Sequence, residues 1–290
     1  MAKARAILKR RKSVQNIRKI TRTMQLIATA RFQKAFNRTV AAKPYTRKIM
    51  EMVSNIAKFT EVKHPFLTKH EAIKKIALLV ITSNRGLAGG YNSNVLQRAQ
   101  AFSNEQLSRQ RELQFDVIGK KGWGYLKFLG LKVEHFFKLP DEATYPQVVE
   151  IADQYMDLYA SGKVDGVHVA YMQFHSTSKQ TPNVLQLLPL QITTGSEAEL
   201  PGQWSFEYDF SPPAEQLLLE LLPEAVKVAL YQCVRDAAVS EQVARMVAMK
   251  AATDNAEEMI KHLGRQANKA RQAQITRELA ELIGGAEALK

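Results

Sequence analysis

The fold is decided by Glu224–Leu282, which reads EAVKVALYQCVRDAAVSEQVARMVAMKAATDNAEEMIKHLGRQANKARQAQITRELAEL. This stretch contains no proline and a single glycine, Gly264, so it predicts one uninterrupted helix. At about 1.5 Å per residue, the helix would be roughly 90 Å long, which is more than a compact domain of this size can enclose. The helix must therefore project from a domain or pack along its length against another helix.

The N-terminal segment can supply that second helix. Residues 1–60 contain no glycine, and their apolar side chains recur at the spacings of three and four residues that are typical of a coiled coil. This stripe consists of Ile17, Ile20, Met24 and Ile27. Pro44 predicts a kink or an interruption. We therefore expect residues 1–60 and 211–290 to form two long antiparallel helices that bury their apolar stripes against each other.

The residues between these segments have a different pattern. In 74–206, short apolar runs alternate with amphipathic stretches, as strands and helices do in an α/β domain. The predicted strands are KKIALLVITS, ELQFDVIG, LKVEHFF, VDGVHVAYMQF and NVLQLLPL. The predicted fold is therefore α/β plus a long antiparallel α-helical coiled coil. The central sheet is mostly parallel with flanking helices, in a Rossmann-like arrangement.

Positive charge is concentrated near the N-terminus. The formal net charge is +13, and residues 1–60 hold 16 Lys and Arg against one acid, Glu51. Such a helix is typical of binding to nucleic acid, to an anionic membrane surface or to an acidic protein partner. The nucleic-acid alternative also predicts aromatic side chains that stack on bases. The aromatic residues of the segment are widely spread and comprise Phe32, Phe36, Tyr45 and Phe59.

The chain shows no catalytic pattern. The turn Thr82–Asn92, TSNRGLAGGYN, could cradle a phosphate, but it lacks the Lys-Ser/Thr of a P-loop, and a tight strand-to-helix turn explains it more simply. The six histidines have no metal-ligand spacing, and Cys233 is the single cysteine. We expect no catalytic residue, metal or cofactor on this chain. An enzyme that uses the α/β domain is the other alternative, and it predicts nucleotide binding by the isolated chain.

Three motifs resemble the gamma subunit of F-type ATP synthases. They are SVQNIRKITRTMQLIATARFQKA near the N-terminus, the glycine-rich TSNRGLAGGYNSN, and SEQVARMVAMKAATDNAEEMI in the C-terminal helix. The terminal ITRELAELIGGAEA is similar to the signature of that family, with Ile275, Thr276, Glu278, Glu281, Gly285 and Ala286 at its positions. Ala88 stands where many members have cysteine. The resemblance covers the whole chain in the order helix, α/β domain, helix.

The resemblance implies a central-stalk rotor subunit. In that family the coiled coil turns inside a hexamer of alpha and beta subunits, and the α/β domain lies beside the epsilon subunit on the membrane ring of c subunits. Rotation couples proton flow to ATP synthesis or hydrolysis, and the hexamer, not this chain, binds ATP, ADP and Mg²⁺. The resemblance thus implies a non-catalytic protein with no nucleic-acid partner, bound to the membrane only through its partners.

The resemblance also suggests which residues contact the beta subunit. The matching positions are Lys19, Arg22, Met24, Arg245, Gln272 and Thr276. The same part of the coiled coil contains Met246, Ala248 and Met249. Two alternatives remain open at this point: Met24 could be a core residue of the coiled coil, and Arg245 could be an exposed helix charge with little effect on stability.

The C-terminus predicts a packed helix end. Ile275, Leu279 and Leu282 lie on one stripe, which we expect to pack against the N-terminal helix, and Gly284 and Gly285 predict where the helix stops.

The N-terminus is basic and poor in acids, as mitochondrial transit peptides are, but this pattern continues without a break as far as Thr60. We therefore expect the cytoplasmic side of a bacterial inner membrane, not a mitochondrion or chloroplast. A single cysteine also argues against the regulatory cysteine pair of the chloroplast branch.

Overall fold

The computed structural model describes residues 2–59, 64–68, 70, 73–191 and 213–287, without the side chains of 2–4, 57–59 and 286–287. The elements in order are α1 (Ala2–Phe59), β1 (Lys75–Ile81), α2 (Tyr91–Ser108), β2 (Glu112–Ile118), α3 (Lys120–Phe128), β3 (Val133–Phe137), α4 (Tyr145–Ala160), β4 (Gly166–Phe174), β5 (Gln180–Leu188) and α5 (Ala214–Glu287). The chain forms two compact units. The coiled-coil unit comprises Met1–Ala30 with Arg245–Lys290, and the α/β unit comprises Arg31–Ala244.

The sheet of the α/β unit has the strand order β3-β2-β1-β4-β5. β1 pairs in parallel with β2 and β4, and β2 pairs in parallel with β3. β5 is antiparallel to β4, because a short turn and not a helix connects the two strands. The prediction of a mostly parallel sheet with flanking helices is confirmed. The proposed limits 74–206 and 211–290 fall partly in 192–212, outside the described residues, and stay predictions.

Strand β1 explains why this sheet is covered on both faces. Its sequence KIALLVI is apolar at nearly every position, as expected of a central parallel strand. Alternate side chains point to opposite faces of the sheet. Ala77, Leu79 and Ile81 join the cluster that contains α4 and the segments of α1 and α5 in this unit. Ile76, Leu78 and Val80 join the cluster formed with α2 and α3.

Two prolines lie inside the long helices. Pro44 belongs to α1 and Pro223 to α5, and neither divides its helix. An interruption at Pro44 is therefore ruled out, whereas a kink there stays a prediction. Packing on both sides offsets the lost backbone hydrogen bond. Within the α/β unit, Thr39 is 1% exposed on one side of Pro44, and Ile49 belongs to the core cluster on the other side.

The coiled-coil unit is held by a seam of mostly small side chains. The Thr253 hydroxyl donates to the Thr21 hydroxyl at 2.8 Å, and Val14 packs in one cluster with Ala256 and Leu263. Moving forward along α1 from Val14 to Thr21 thus moves backward along α5, so the two helices are antiparallel, as predicted. The seam is completed by Ala28 and Ala267, which are 1% and 7% exposed.

The apolar stripe that predicted this pairing does not form the seam. Ile17, Ile20 and Ile27 are 52%, 59% and 50% exposed, and Met24 is half-buried. The prediction that the stripe is buried between the helices is wrong. At about 100° per residue, Ile20 and Ile27 lie one position before Thr21 and Ala28, so they flank the seam and do not enter it.

The predicted packing of the C-terminal helix end is also wrong. Ile275, Leu279 and Leu282 are 46%, 54% and 70% exposed. The antiparallel register accounts for this. Because Thr21 contacts Thr253, Ala2, nineteen residues before Thr21, lies level with Gln272, nineteen residues after Thr253. Among the described residues, α1 therefore does not extend far enough to cover the stripe.

The helix also continues through the predicted stop. Gly284 and Gly285 lie inside α5, which reaches Glu287. Each glycine disfavours a helix by about 1 kcal/mol relative to alanine, and a long cooperative helix tolerates that cost.

The seam leads to a paired stability prediction. Ala28→Leu inserts three carbon atoms between closely packed helices and should cost about 1–3 kcal/mol. Ile27→Ala, the matched control one residue earlier, removes a half-exposed side chain and should change stability by less than about 0.5 kcal/mol. Denaturation of the full chain followed by circular dichroism measures both variants. A larger loss for Ile27→Ala would contradict this placement of the seam.

His168 on β4 is a half-buried titratable group. Its ring lies 4.8 Å from that of Phe102, and its Nδ1 has no hydrogen-bond partner among the described residues. Burial, and secondarily the positive charge of Arg111, lowers the pKa of His168 from 6.5 to about 4. The folded chain therefore holds this imidazole in its neutral form at pH 7.

This shift predicts a loss of stability in acid. Between pH 6.5 and 4 the unfolded chain binds a proton at His168 that the folded chain does not, so stability falls as the pH decreases. The shift corresponds to about 3 kcal/mol, fully present above pH 6.5 and lost by about pH 4. Urea midpoints at pH 7 and 4.5 should differ less in His168→Gln than in the wild-type chain. The exposed control His262→Gln should keep the wild-type difference, and an unchanged difference in His168→Gln would contradict the assignment.

Candidate functional site

The residues proposed for partner binding lie in the coiled-coil unit at two levels. The first level is near the seam contact between Thr21 and Thr253 and contains Lys19, Arg22 and Met24 on α1. On α5 it contains Arg245, which lies eight residues before Thr253. Gln272 and Thr276 lie 27 or more residues beyond Arg245, which is roughly 40 Å along the helix. The structure therefore separates the proposed set into two groups, which cannot contact one small partner loop together.

The four residues of the first group differ from one another in their burial. Lys19 and Arg22 are exposed, Met24 is half-buried, and Arg245 is 7% exposed. The alternative that Arg245 is an exposed helix charge is therefore wrong. Met24 lies beside the seam, so part of its side chain packs on the coiled coil and part is accessible. The neighbouring Met249 is buried, whereas Met246 and Ala248 are half-buried.

The second group is exposed. Gln272, Thr276 and the signature residues Ile275, Glu278 and Glu281 are all accessible, and Gln274 donates to Glu278 at 2.7 Å. Gly285 is exposed, and Ala286 lies in the helix although its side chain is outside the described set. Within the described residues, the signature therefore has no packing role.

Sequence reasoning missed an apolar surface on this unit. Large apolar side chains are half or more exposed where a stable single chain would bury them. They comprise Ile17, Ile20, Leu26, Ile27, Val247, Leu279, Leu282 and Ile283, with exposed fractions of 50–70%. The signal that could have revealed this surface is the spacing of Val14, Thr21 and Ala28, which marks a second, less apolar stripe with the same period.

The basic side chains of this surface lack acidic neighbours. Arg22 donates to the amide oxygen of Gln25 at 3.0 Å. In the part of the chain that the structure describes, no carboxylate forms an ion pair with Arg18, Lys19 or Arg22. The surface therefore combines apolar side chains with uncompensated positive charge. This combination favours binding of an acidic protein partner.

The glycine-rich turn in the α/β unit satisfies its own polar groups. The backbone N–H of Ser83 donates to Asn92 Oδ1 at 3.0 Å, and the Ser83 hydroxyl donates to the Arg85 carbonyl at 2.6 Å. Ala88 is buried, and Tyr91 N–H donates to the Ala88 carbonyl. This is the geometry of a tight strand-to-helix turn. A second glycine-rich stretch, GKKGWG at Gly119–Gly124, is also structural, because a Cβ on Gly119 would lie 2.1 Å from the Thr82 carbonyl oxygen.

An acidic loop fastens the basic part of α1 within the α/β unit. Asp141 lies 3.3 Å from Arg31, and Glu142 lies 2.8 Å from Lys34 and 2.9 Å from Arg38. The hydrogen bond from Lys34, together with Arg38, lowers the pKa of Glu142. Asn84 from the glycine-rich turn donates to the Leu139 carbonyl at 3.0 Å. We refer to the ion pairs of Asp141 and Glu142 with α1, which join α1 to the loop between β3 and α4, as the clasp.

Clusters of metal ligands and membrane-spanning helices are both absent from the described residues. No group of three or more His, Cys, Asp and Glu side chains within 2–59, 64–68, 70, 73–191 and 213–287 is placed to hold a metal ion. In the same residues, no helix is both long and apolar enough to cross a bilayer.

Comparison with known proteins gives a consistent result. The family model described as ATP synthase matches residues 3–289. The ATP synthase gamma chain of Rhodopirellula baltica is 47% identical over 296 residues, and the alignment covers 100% of both chains. The gamma chain of Azoarcus sp. strain BH72 is 40% identical, again with 100% of both chains covered.

Solved structures agree on the fold. A chain from the cryo-EM structure of Euglena gracilis mitochondrial ATP synthase, OSCP/F1/c-ring, superposes with a TM-score of 0.69. The match covers 99% of this chain and 95% of that one at 17% identity. A chain of the rotor of the same enzyme gives a TM-score of 0.66 at 17% identity and covers 94% and 99% of the two chains. With full-length relatives at 47% and 40% identity and a family model over nearly the whole sequence, the chain belongs to the ATP synthase gamma chain family.

Proposed function

We infer that this chain is the central-stalk rotor subunit of an F-type ATP synthase. Rotation of the stalk couples proton flow across the membrane to ATP synthesis or hydrolysis in the alpha/beta hexamer. The observation that carries this conclusion is the full-length match to gamma chains at up to 47% identity. The chain is a non-catalytic subunit, and the catalytic sites lie in the beta subunits.

The coiled-coil unit has the physical properties that a rotor needs. Two helices that pack along a continuous seam resist bending and twisting better than one helix. The outer surface differs around its circumference, with apolar and basic stripes at different angles. A rotating asymmetric surface can favour different conformations of three equivalent sites, because each orientation makes different contacts with them.

The two levels of proposed contact residues suit two zones of the hexamer. Lys19, Arg22 and Met24 would contact charged loops of beta, where opposite charge attracts without fixing one geometry. Arg245, the fourth residue proposed for this level, is 7% exposed and would join such a contact only through a small part of its side chain. Gln272 and Thr276 would contact the part of the hexamer that surrounds the end of α5. The same part of the hexamer would also cover the exposed Ile275, Leu279 and Leu282. Nucleotide and Mg²⁺ are bound by the hexamer, and no cofactor is assigned to this chain.

The remaining partners are the epsilon subunit and the c-ring. The chain is a peripheral subunit of a membrane-bound ATP synthase, and we assign it to the cytoplasmic side of a bacterial inner membrane. The full-length relatives from Rhodopirellula and Azoarcus support a bacterial setting.

The nucleic-acid alternative gains no support. Phe32 and Phe36, two of the aromatic residues that base stacking would need, pack on each other with ring centroids 5.5 Å apart. Phe36 also contacts Phe174 at 5.9 Å. Both side chains pack against the buried cluster of Phe174, Val239 and Val243, so they are not presented to bases.

Assembly tests this function directly. Co-expression with cognate alpha and beta subunits should yield a stable complex that contains this chain and hydrolyses ATP. Purification through a tag on beta, followed by gel filtration, measures its incorporation. Recovery of an alpha/beta hexamer that consistently lacks this chain would overturn the assignment.

Met24→Lys tests the lower contact level. Because Met24 is half-buried beside the seam, a lysine can extend to solvent, so assembly should change by less than about twofold. ATP-driven proton pumping should fall more steeply than ATP hydrolysis, since the added charge alters contacts with beta. Quenching of a pH-sensitive dye in inverted vesicles, divided by the hydrolysis rate, measures the coupling. Met24→Leu is the matched control and should behave as wild type, whereas equal losses of pumping and assembly in Met24→Lys would count against a contact role.

A further inference from the structure

The clasp borders a cavity, partly open to solvent, that the rotor function does not use. It has a volume of about 140 Å³ and lies in the α/β unit between α1 and α5, with the loop between β3 and α4 at its edge. Ala35, Ala143 and Ala238 line it and leave the space open. Four cationic side chains and two carboxylates also line it, namely Arg31, Lys34, Arg38, Arg235, Asp141 and Glu142.

The charge of this lining is unbalanced. The four cations exceed the two carboxylates, so the formal charge around the cavity is +2. The lowered pKa of Glu142 means that its carboxylate is ionised at neutral pH and is already included in this balance. In a partly enclosed space, where charges are screened less than in water, such an excess favours a small dianion.

Two further lining atoms lack partners. Arg235 Nε and Gln242 Oε1 are buried and form no hydrogen bond with any described residue. The Gln242 residue is 6% exposed. Buried polar atoms of this kind are almost always paired in native proteins. Arg235 Nε–H requires an acceptor, whereas Gln242 Oε1 requires a donor, so one ligand that satisfies both carries an acceptor and a donor, as hydrogen phosphate does.

We propose that this cavity is a binding site for monohydrogen phosphate. Phosphate supplies acceptor oxygens to Arg235, Arg38 and Lys34, and its remaining P–O–H donates to Gln242 Oε1. Inorganic phosphate titrates between its monoanion and its dianion near neutral pH, and the excess positive charge of the lining favours the dianion, whose charge matches it. Sulfate has a similar size and charge but no O–H donor, so the site distinguishes the two anions. Phosphate binding in this cavity does not depend on the rotor function.

The test is equilibrium binding of radiolabelled inorganic phosphate to the purified full chain, at constant ionic strength set with chloride. The wild-type chain should show one saturable site. Arg38→Gln removes a half-exposed cation and should weaken binding about tenfold, as expected for one charge-assisted hydrogen bond. Lys132→Gln, which removes an exposed lysine paired with Glu134 on β3, is the matched control and should bind as wild type.

Sulfate competition tests the role of Gln242. Sulfate should displace phosphate from the wild-type chain only at concentrations about tenfold higher than unlabelled phosphate. Gln242→Leu should bring the two anions closer together, because the acceptor for P–O–H is gone.

Absence of saturable phosphate binding, or equal weakening by Lys132→Gln and Arg38→Gln, would overturn the site. Equal competition by sulfate in the wild-type chain would overturn the assignment to hydrogen phosphate. Circular dichroism monitors folding, and if Gln242→Leu fails to fold, the wild-type competition and Arg38→Gln still decide the outcome.

Discussion

Two long helices run side by side only where the side chains between them are small enough for close approach. In this chain the seam consists largely of buried small residues, namely Thr21, Ala28, Thr253, Ala256 and Ala267. The threonine hydroxyls bond to each other, so a polar pair is satisfied inside the seam and also fixes the register of the helices. Close approach and fixed register together make the pair stiff, since sliding by one residue would break the bond and place larger side chains in the seam.

A seam of small residues has a consequence for the outer surface. The large apolar side chains of α1 flank the seam and stay exposed, as Ile17, Ile20 and Ile27 show. An exposed apolar surface of this extent indicates a protein partner. The composition of the coiled coil is therefore divided by function: small and hydroxyl side chains hold the helices together, and large aliphatic side chains are available to a surrounding sleeve.

The fold was largely predictable, because it depends on local periodicity. The run KIALLVI indicated a central strand, and the absence of proline, with a single glycine, from Glu224 to Leu282 indicated the long C-terminal helix. The contact surface was less predictable, because an internal seam and a partner-facing stripe share the same heptad spacing. The sequence therefore predicts that the more apolar stripe forms the seam, whereas in the structure it faces outward. The clasp carried no local signal, since Arg31 and Asp141 are separated by 110 residues. The end of α5 was misjudged because two glycines cost less than a long helix can tolerate.

The clasp also changes the meaning of the basic N-terminal segment. Arg31, Lys34 and Arg38 face Asp141 and Glu142 within the same unit, so two of these three positive charges are compensated locally. Arg18, Lys19 and Arg22 have no carboxylate partner among the described residues, and their charge is available to a partner. Since exposed charges are screened over about 8–10 Å at physiological salt, a distant acidic residue cannot substitute for a neighbouring one. The attraction between rotor and hexamer must then come chiefly from the part of α1 that ends at Ala30 and belongs to the coiled-coil unit.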